Sequence, residues 1–225
     1  MYNPYKPFYM NLFQIVLDLF RRPAQESTQI TKAIQTGQEK TYIHDFIRTF
    51  GRLEVYNEFE NSGEKLIIIP RQFHLATHNM CMNTEREVLG ALVCKKFPNG
   101  NLMIESIITL GYGKPYNVSY DQNKISALEK LKQKHPEFCI IEFHCHTETT
   151  GESFYDNFSS GDLKALAYQI STNNNYCHVL FTPTHVCTCG LNKPKFVASE
   201  IKGTEDDKLF SRYMEIHEEF EALCV

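Results

Sequence analysis

What the sequence lacks narrows it first. There is no basic surplus: 23 Lys and Arg stand against 27 Asp and Glu, a net charge of −4 with the two signs interspersed. The phosphate anchoring that dominates nucleic-acid affinity therefore has no source here. Nor is there a long apolar run. The stretch Leu12 to Phe20 is broken by Gln14 and Asp18 and is too short to cross a bilayer. It also has no basic lead-in and no small-residue cleavage site, and Arg21-Arg22 follows it instead of preceding it as in a twin-arginine signal. Repeats and low-complexity tracts are missing too. The expectation is a cytoplasmic protein that engages neither nucleic acid nor membrane.

What is present is a chain of 225 residues, 42% hydrophobic, long enough to bury a sizeable core. Its eight cysteines (Cys81, Cys94, Cys139, Cys145, Cys177, Cys187, Cys189 and Cys224) lie largely inside apolar runs of a chain that is not small. They read as reduced, buried thiols and not as a disulfide framework.

Helical spacing of Phe13, Val16, Leu17 and Phe20, ended by Pro23, and of Ile43, Phe46, Ile47 and Phe50 predicts a helical extension over residues 1–51. Such an amphipathic pair packs on its own domain or docks a partner or a second copy. A domain is expected over 52–203. It opens with two strands, Leu53-Val55 and Lys65 to Pro70, separated by Asn61-Ser62-Gly63. A helix carrying Met80, Thr84, Glu87, Val88, Ala91 and Leu92 follows, then the turn Pro98-Asn99-Gly100-Asn101 and a strand from Leu102 to Leu110.

Ile125, Leu128 and Leu131 predict a helix from Asp121 to Lys134, stopped by His135-Pro136. Phe138 to Phe143 reads as a buried strand, and Leu163, Leu166, Ala167 and Ile170 as a helix. Strands at Cys177 to Thr182 and Lys195 to Ile201 precede a last helix within 204–225, with Phe210, Tyr213, Met214, His217 and Phe220 on its apolar side. Interleaved strands and helices predict an α/β or α+β sandwich.

Chemistry concentrates between Glu142 and Leu163. His144 and His146 stand two apart at the end of an apolar run, so on a strand both rings leave one face and can share a metal. Alone, His-x-His is a weak signal, because strand histidines are commonly plain hydrogen-bonding residues. Asp162 could be a third ligand, though Ser159-x-x-Asp162 is also a helix capping box. The two roles are compatible, since a capped helix start fixes the aspartate. Two imidazoles and a carboxylate fill three positions of a tetrahedral zinc and leave the fourth for water, the pattern of a catalytic site; structural zinc takes four protein ligands. Hydrolysis at such a site also needs a carboxylate from elsewhere to move protons.

Glu87-Val88-Leu89-Gly90-Ala91-Leu92, His144-Cys145-His146 and Ser159-Ser160-Gly161-Asp162, in this order, resemble the signature of the JAMM or MPN-plus zinc metalloproteases. That signature is a Glu on an early helix in a Glu-Val-x-Gly-x-Leu context, then His-x-His, then Ser-x-x-Asp. The likeness covers about Arg52 to Gly190. It implies an MPN-like, cytidine-deaminase-like mixed sheet between helices, and one catalytic zinc on His144, His146 and Asp162. It further implies Glu87 as general acid/base, Ser159 as hydrogen-bond donor to the tetrahedral intermediate, and zinc-bound water as nucleophile. The substrate it implies is the peptide or isopeptide bond after the C-terminus of ubiquitin or a ubiquitin-like protein.

Two features depart from the family. Thr147 stands where a proline usually follows the second histidine, and fifteen residues separate His146 from Asp162, where about ten are usual. The loop Thr147 to Phe158 is either a substrate-binding flap or a surface insertion. Glu85 rivals Glu87 but lacks the Val-x-Gly-x-Leu context, and Glu142 could contact the site or pair with a cation. His178, His185, Cys187 and Cys189 could form a second zinc cluster, but with no Cys-x-x-Cys pair they read as core thiols and strand histidines. A metal-free binding or scaffold module of the same fold, and a hydrolase of small peptides or amides, remain the alternatives.

Overall fold

The long apolar segments alternate their side chains between two faces, and that alternation sets the architecture. In a computed structural model describing residues 66–83, 86–114, 117–147, 158–172, 177–183, 186–190, 195–199 and 204–224, the elements run in chain order as follows. They are β1 (Leu66–Pro70), α1 (Arg71–Asn83), β2 (Val88–Lys96), β3 (Leu102–Lys114), β4 (Asn117–Tyr120), α2 (Gln122–Lys134), β5 (Phe138–Cys145), α3 (Ser160–Thr172), β6 (Cys177–Phe181), β7 (Val186–Gly190), β8 (Lys195–Ser199) and α4 (Thr204–Leu223). The expected N-terminal helices, the strand at 53–55, Glu85, His185 and most of the loop after Thr147 lie outside the described residues.

The strands form one mixed sheet in the order β7-β6-β5-β2-β3-β1-β8, with β4 paired to β3. Antiparallel pairing joins β2 to β3 and β5, while β5–β6, β1–β3 and β1–β8 are parallel. This is the mixed α/β architecture expected from the interleaving.

Alternate residues of each central strand enter separate cores. Leu92, Ile107, Ile141 and Phe143 join Phe73, Ala76 and Met80 of α1. Ala91, Val93, Ile108 and Phe138 join Ala127, Leu128 and Leu131 of α2. The sheet thus carries a helix on each face, and α4 contributes Leu209 and Tyr213 to the first core and Ile216 and Phe220 to the second. On α4 the buried side is therefore Leu209-Tyr213-Ile216-Phe220, with Phe210, Met214 and His217 only partly buried at its margins.

The chief correction concerns Glu87. The expected helix through Glu87 and Leu92 ends at Asn83, and Val88 to Lys96 is a strand in the middle of the sheet. Seven consecutive residues from Val88 to Cys94 are buried. A strand covered on both faces shows no alternation of polarity, and its apolar run matches a helical template by chance.

Besides β2, the strands β4 and β7 have no counterpart among the expected elements. The turn at 98–101 is present, with Gly100 at φ +89°; the Phe97 amide donates to the Asn101 carbonyl at 2.8 Å and the Phe97 carbonyl accepts the Gly100 amide at 2.9 Å, closing the hairpin. Asp121 caps α2 through its side chain, which accepts from the amides of Asn123 and Lys124. None of the eight cysteines forms a disulfide. Burial pushes the Cys81 and Cys94 thiols far up and Cys177 to about 11, so these sulfurs stay protonated at neutral pH. No described helix is long and apolar enough to cross a membrane.

Candidate metal centre

The site lies where β5 ends. One row of β5, Cys139, Ile141, Phe143 and Cys145, enters the α1 core, so His144 projects from the opposite face. His146, two residues on, donates its amide to the Phe181 carbonyl at 2.9 Å, which extends the alignment with β6 just past the strand. The two rings sit 5.1 Å apart between centroids, and both residues are buried.

Asp162 arrives from the first turn of α3. Ser159 accepts the Asp162 amide on Oγ at 3.1 Å, and its own amide donates to Asp162 Oδ2 at 2.7 Å. This reciprocal capping box caps the helix and orients the carboxylate together. Asp162 Oδ1 lies 3.5 Å from His144 Nε2, and Oδ2 lies 3.5 Å from His146 Nε2. Burial works to raise the Asp162 pKa, but the two imidazoles and the Ser159 hydrogen bond outweigh it and hold the carboxyl well below the usual carboxylate range.

Potential ligand atoms of His144, His146 and Asp162 all lie within 4.8 Å of one another, so the group could hold a metal ion. The donor chemistry fits one. His144 Nε2 is buried without a hydrogen-bond partner, the Asp162 oxygen at 3.5 Å being electrostatically close but too loosely placed for a directed bond. A buried ring nitrogen in that state carries a desolvation cost that coordination would remove.

Glu87 joins the cluster from the segment before β2, not from a helix. Its carboxylate Oε1 is 4.0 Å from His146 Nε2, and its side chain keeps 29% exposure, so it faces both the cluster and solvent. The Glu87 carbonyl accepts the Gly113 amide at 2.7 Å, which fixes its backbone against β3. Within the motif, Gly90 is needed for close approach: a Cβ there would lie 2.4 Å from the Ile108 carbonyl oxygen and from the Phe143 ring.

The remaining candidates distribute differently. Glu142 is exposed on β5, outside the ligand group. Leu163, expected on the apolar side of α3, is 47% exposed, and Leu166 supplies burial there. Cys187 and Cys189 lie on β7, and among the described residues they form no second metal group with His178. His178 instead meets the first site: its Nε2 is 2.8 Å from His144 Nδ1. Burial, then the neighbouring His144, push the His178 pKa down to about 3, against the opposing pull of Asp162, so its ring is neutral. Phe158 packs on both rings, at 5.8 Å from His144 and 6.2 Å from His178.

No protein-family model and no curated protein matches the chain. Among solved structures it is similar to the solution structure of protein DSY2949 from Desulfitobacterium hafniense, at 14% identity and a TM-score of 0.40, over 62% of this chain and 97% of that one. A likeness this distant transfers neither fold nor function.

Proposed function

We propose that the chain is a zinc-dependent peptidase of the JAMM type, with an MPN-like fold. It would cleave the peptide or isopeptide bond after the C-terminus of ubiquitin or a ubiquitin-like protein in the cytoplasm. One observation carries this reading: residues from three separate segments, in the order Glu, His-x-His, Ser-x-x-Asp, converge on one cluster.

His144, His146 and Asp162 would hold the ion. When bound, zinc supplies Lewis acidity and lowers the pKa of a coordinated water towards ~7. Glu87, partly exposed beside His146, takes a proton from the attacking water and returns it to the departing amine nitrogen. Ser159 Oγ uses a lone pair in the capping box, which leaves its hydroxyl proton to donate to the scissile carbonyl oxygen as negative charge builds there.

The test is metal content of the purified chain, followed by cleavage of a ubiquitin-like fusion beside a short peptide, wild type against Glu87→Gln. The expected result is about one zinc per chain in both proteins, and hydrolysis reduced at least about 100-fold in the variant. Full activity of Glu87→Gln sinks the assignment. A chain with no affinity for zinc points to the scaffold reading, and cleavage confined to short peptides points to the small-substrate hydrolase.

A further inference from the structure

We propose that His178 is a positioning residue of the metal centre, whose Nε2 accepts the Nδ1 proton of His144 and so presents the His144 Nε2 lone pair to the ion. This rests on the reading of His144 as a ligand. The two nitrogens are 2.8 Å apart, and the residues are 5% and 3% exposed. A hydrogen bond between two ring nitrogens needs one N–H and one lone pair, so each ring constrains the tautomer of the other.

His144 Nε2 points into the cluster shared with His146 and Asp162 and has no hydrogen-bond partner. Coordination there requires a lone pair on Nε2, hence the proton on Nδ1, hence an accepting Nε2 on His178. His178 is thereby fixed as the tautomer protonated on Nδ1. A ligating histidine commonly gives its second N–H to a carboxylate, a backbone carbonyl or water. Here a second imidazole takes that place and orients His144 without adding negative charge to a site that already holds Asp162.

Two features make the arrangement specific. Parallel pairing of β5 with β6 sets His144 opposite Leu180 and Glu142 opposite His178, so His178 stands on the His144 row, one pleat back. Phe158 packs against both rings, edge-on to His144 and tilted to His178, and the pair's low exposure leaves little room for water as a competing acceptor. It immediately precedes Ser159, so the segment that delivers Asp162 also covers the pair.

The experiment uses the full chain and zinc alone. Zinc affinity is measured by competition with a chromophoric chelator for wild type, His178→Leu and His178→Gln. Long-range proton–nitrogen spectra of the zinc-loaded wild type read the His144 tautomer. The expected results are an Nδ1-protonated, Nε2-metallated His144, a loss of about 10–100-fold in zinc affinity for His178→Leu, and recovery of most of that loss in His178→Gln, whose amide oxygen can accept the same proton. Wild-type affinity in His178→Leu, equal losses in both variants, or an Nδ1-metallated His144 overturns the proposal while leaving the metal site standing. The spectra decide the matter even where the leucine variant fails to fold. A wild type that takes up no zinc overturns the metal reading and this inference with it.

Discussion

Cys145 Sγ accepts the backbone amide of Val88 at 3.2 Å, across 57 residues of sequence, and so ties the segment that presents Glu87 to the strand that presents both histidines. The sulfur lies on the face opposite the two rings, so the residue between the ligands anchors the acid/base segment from behind. Cys145→Ala leaves the Val88 amide buried without this acceptor, at a cost of about 1–3 kcal/mol in urea unfolding. Hydrolysis should fall more than zinc content, because Glu87 is displaced while the imidazoles stay. Equal loss of metal and activity would argue against the tether.

Gly90 is the tightest point of the Glu-Val-x-Gly-x-Leu segment. The Ile108 oxygen that a Cβ would meet at 2.4 Å is backbone, and the Phe143 ring on the other side is held at 5.4 Å from Phe181 in an edge-on contact. Gly90→Ala should destabilise by at least the ~1–3 kcal/mol typical of overpacking. Adding Phe143→Leu should recover only part, since the carbonyl clash persists; full recovery in that double-mutant cycle would place the whole strain on the ring.

The candidate ligands were legible for local reasons. His144 and His146 follow the period of a strand, and Ser159-x-x-Asp162 follows the geometry of a helix start; both are rules of neighbours in sequence. Glu87 was legible as a residue but not as an element, because β2 is buried on both faces and its pattern carries no period of two. β4 and β7 are short, at four and five residues, and exist through their partners β3 and β6 more than through their own composition. His178 lies 34 residues from His144, and its place in the sequence sets it nearer to Cys187 and Cys189 than to the two metal-site histidines. Only the parallel pairing of β5 with β6, which no spacing rule encodes, brings it to the site.

Acid should weaken the fold through α1. Burial, then His78 one turn away, hold His74 to about 3, and burial holds His78 to about 4. Both folded values lie below the ordinary 6.5, so between 6.5 and those values the unfolded chain binds protons that the folded chain does not. The contribution of these two rings is complete above about pH 6.5 and declines as pH falls, at up to about 1.4 kcal/mol per pH unit for each ring, and His178, also held to about 3, adds to the same decline from β6. Urea midpoints between about pH 7.5 and pH 5 measure this. The decline should be shallower in His74→Phe, and an identical slope in the variant would remove α1 as its source.

The box between Ser159 and Asp162 performs two tasks that substitution can separate. Ser159→Ala removes the acceptor for the Asp162 amide and should cost about 1 kcal/mol of stability with or without metal. It also removes the hydroxyl assigned to the scissile carbonyl, so hydrolysis should fall while zinc is retained. Asp162→Asn keeps an oxygen able to accept the Ser159 amide, and the capped helix start survives in large part. The amide lacks the negative charge that two imidazoles now face at 3.5 Å, so zinc affinity should collapse. Thermal melts with and without zinc distinguish the cases. Ser159→Ala should melt lower than wild type yet still gain stability from zinc, whereas Asp162→Asn should melt near the metal-free wild type and gain nothing. A zinc-dependent rise preserved in Asp162→Asn would mean that the carboxylate caps α3 and does not ligate.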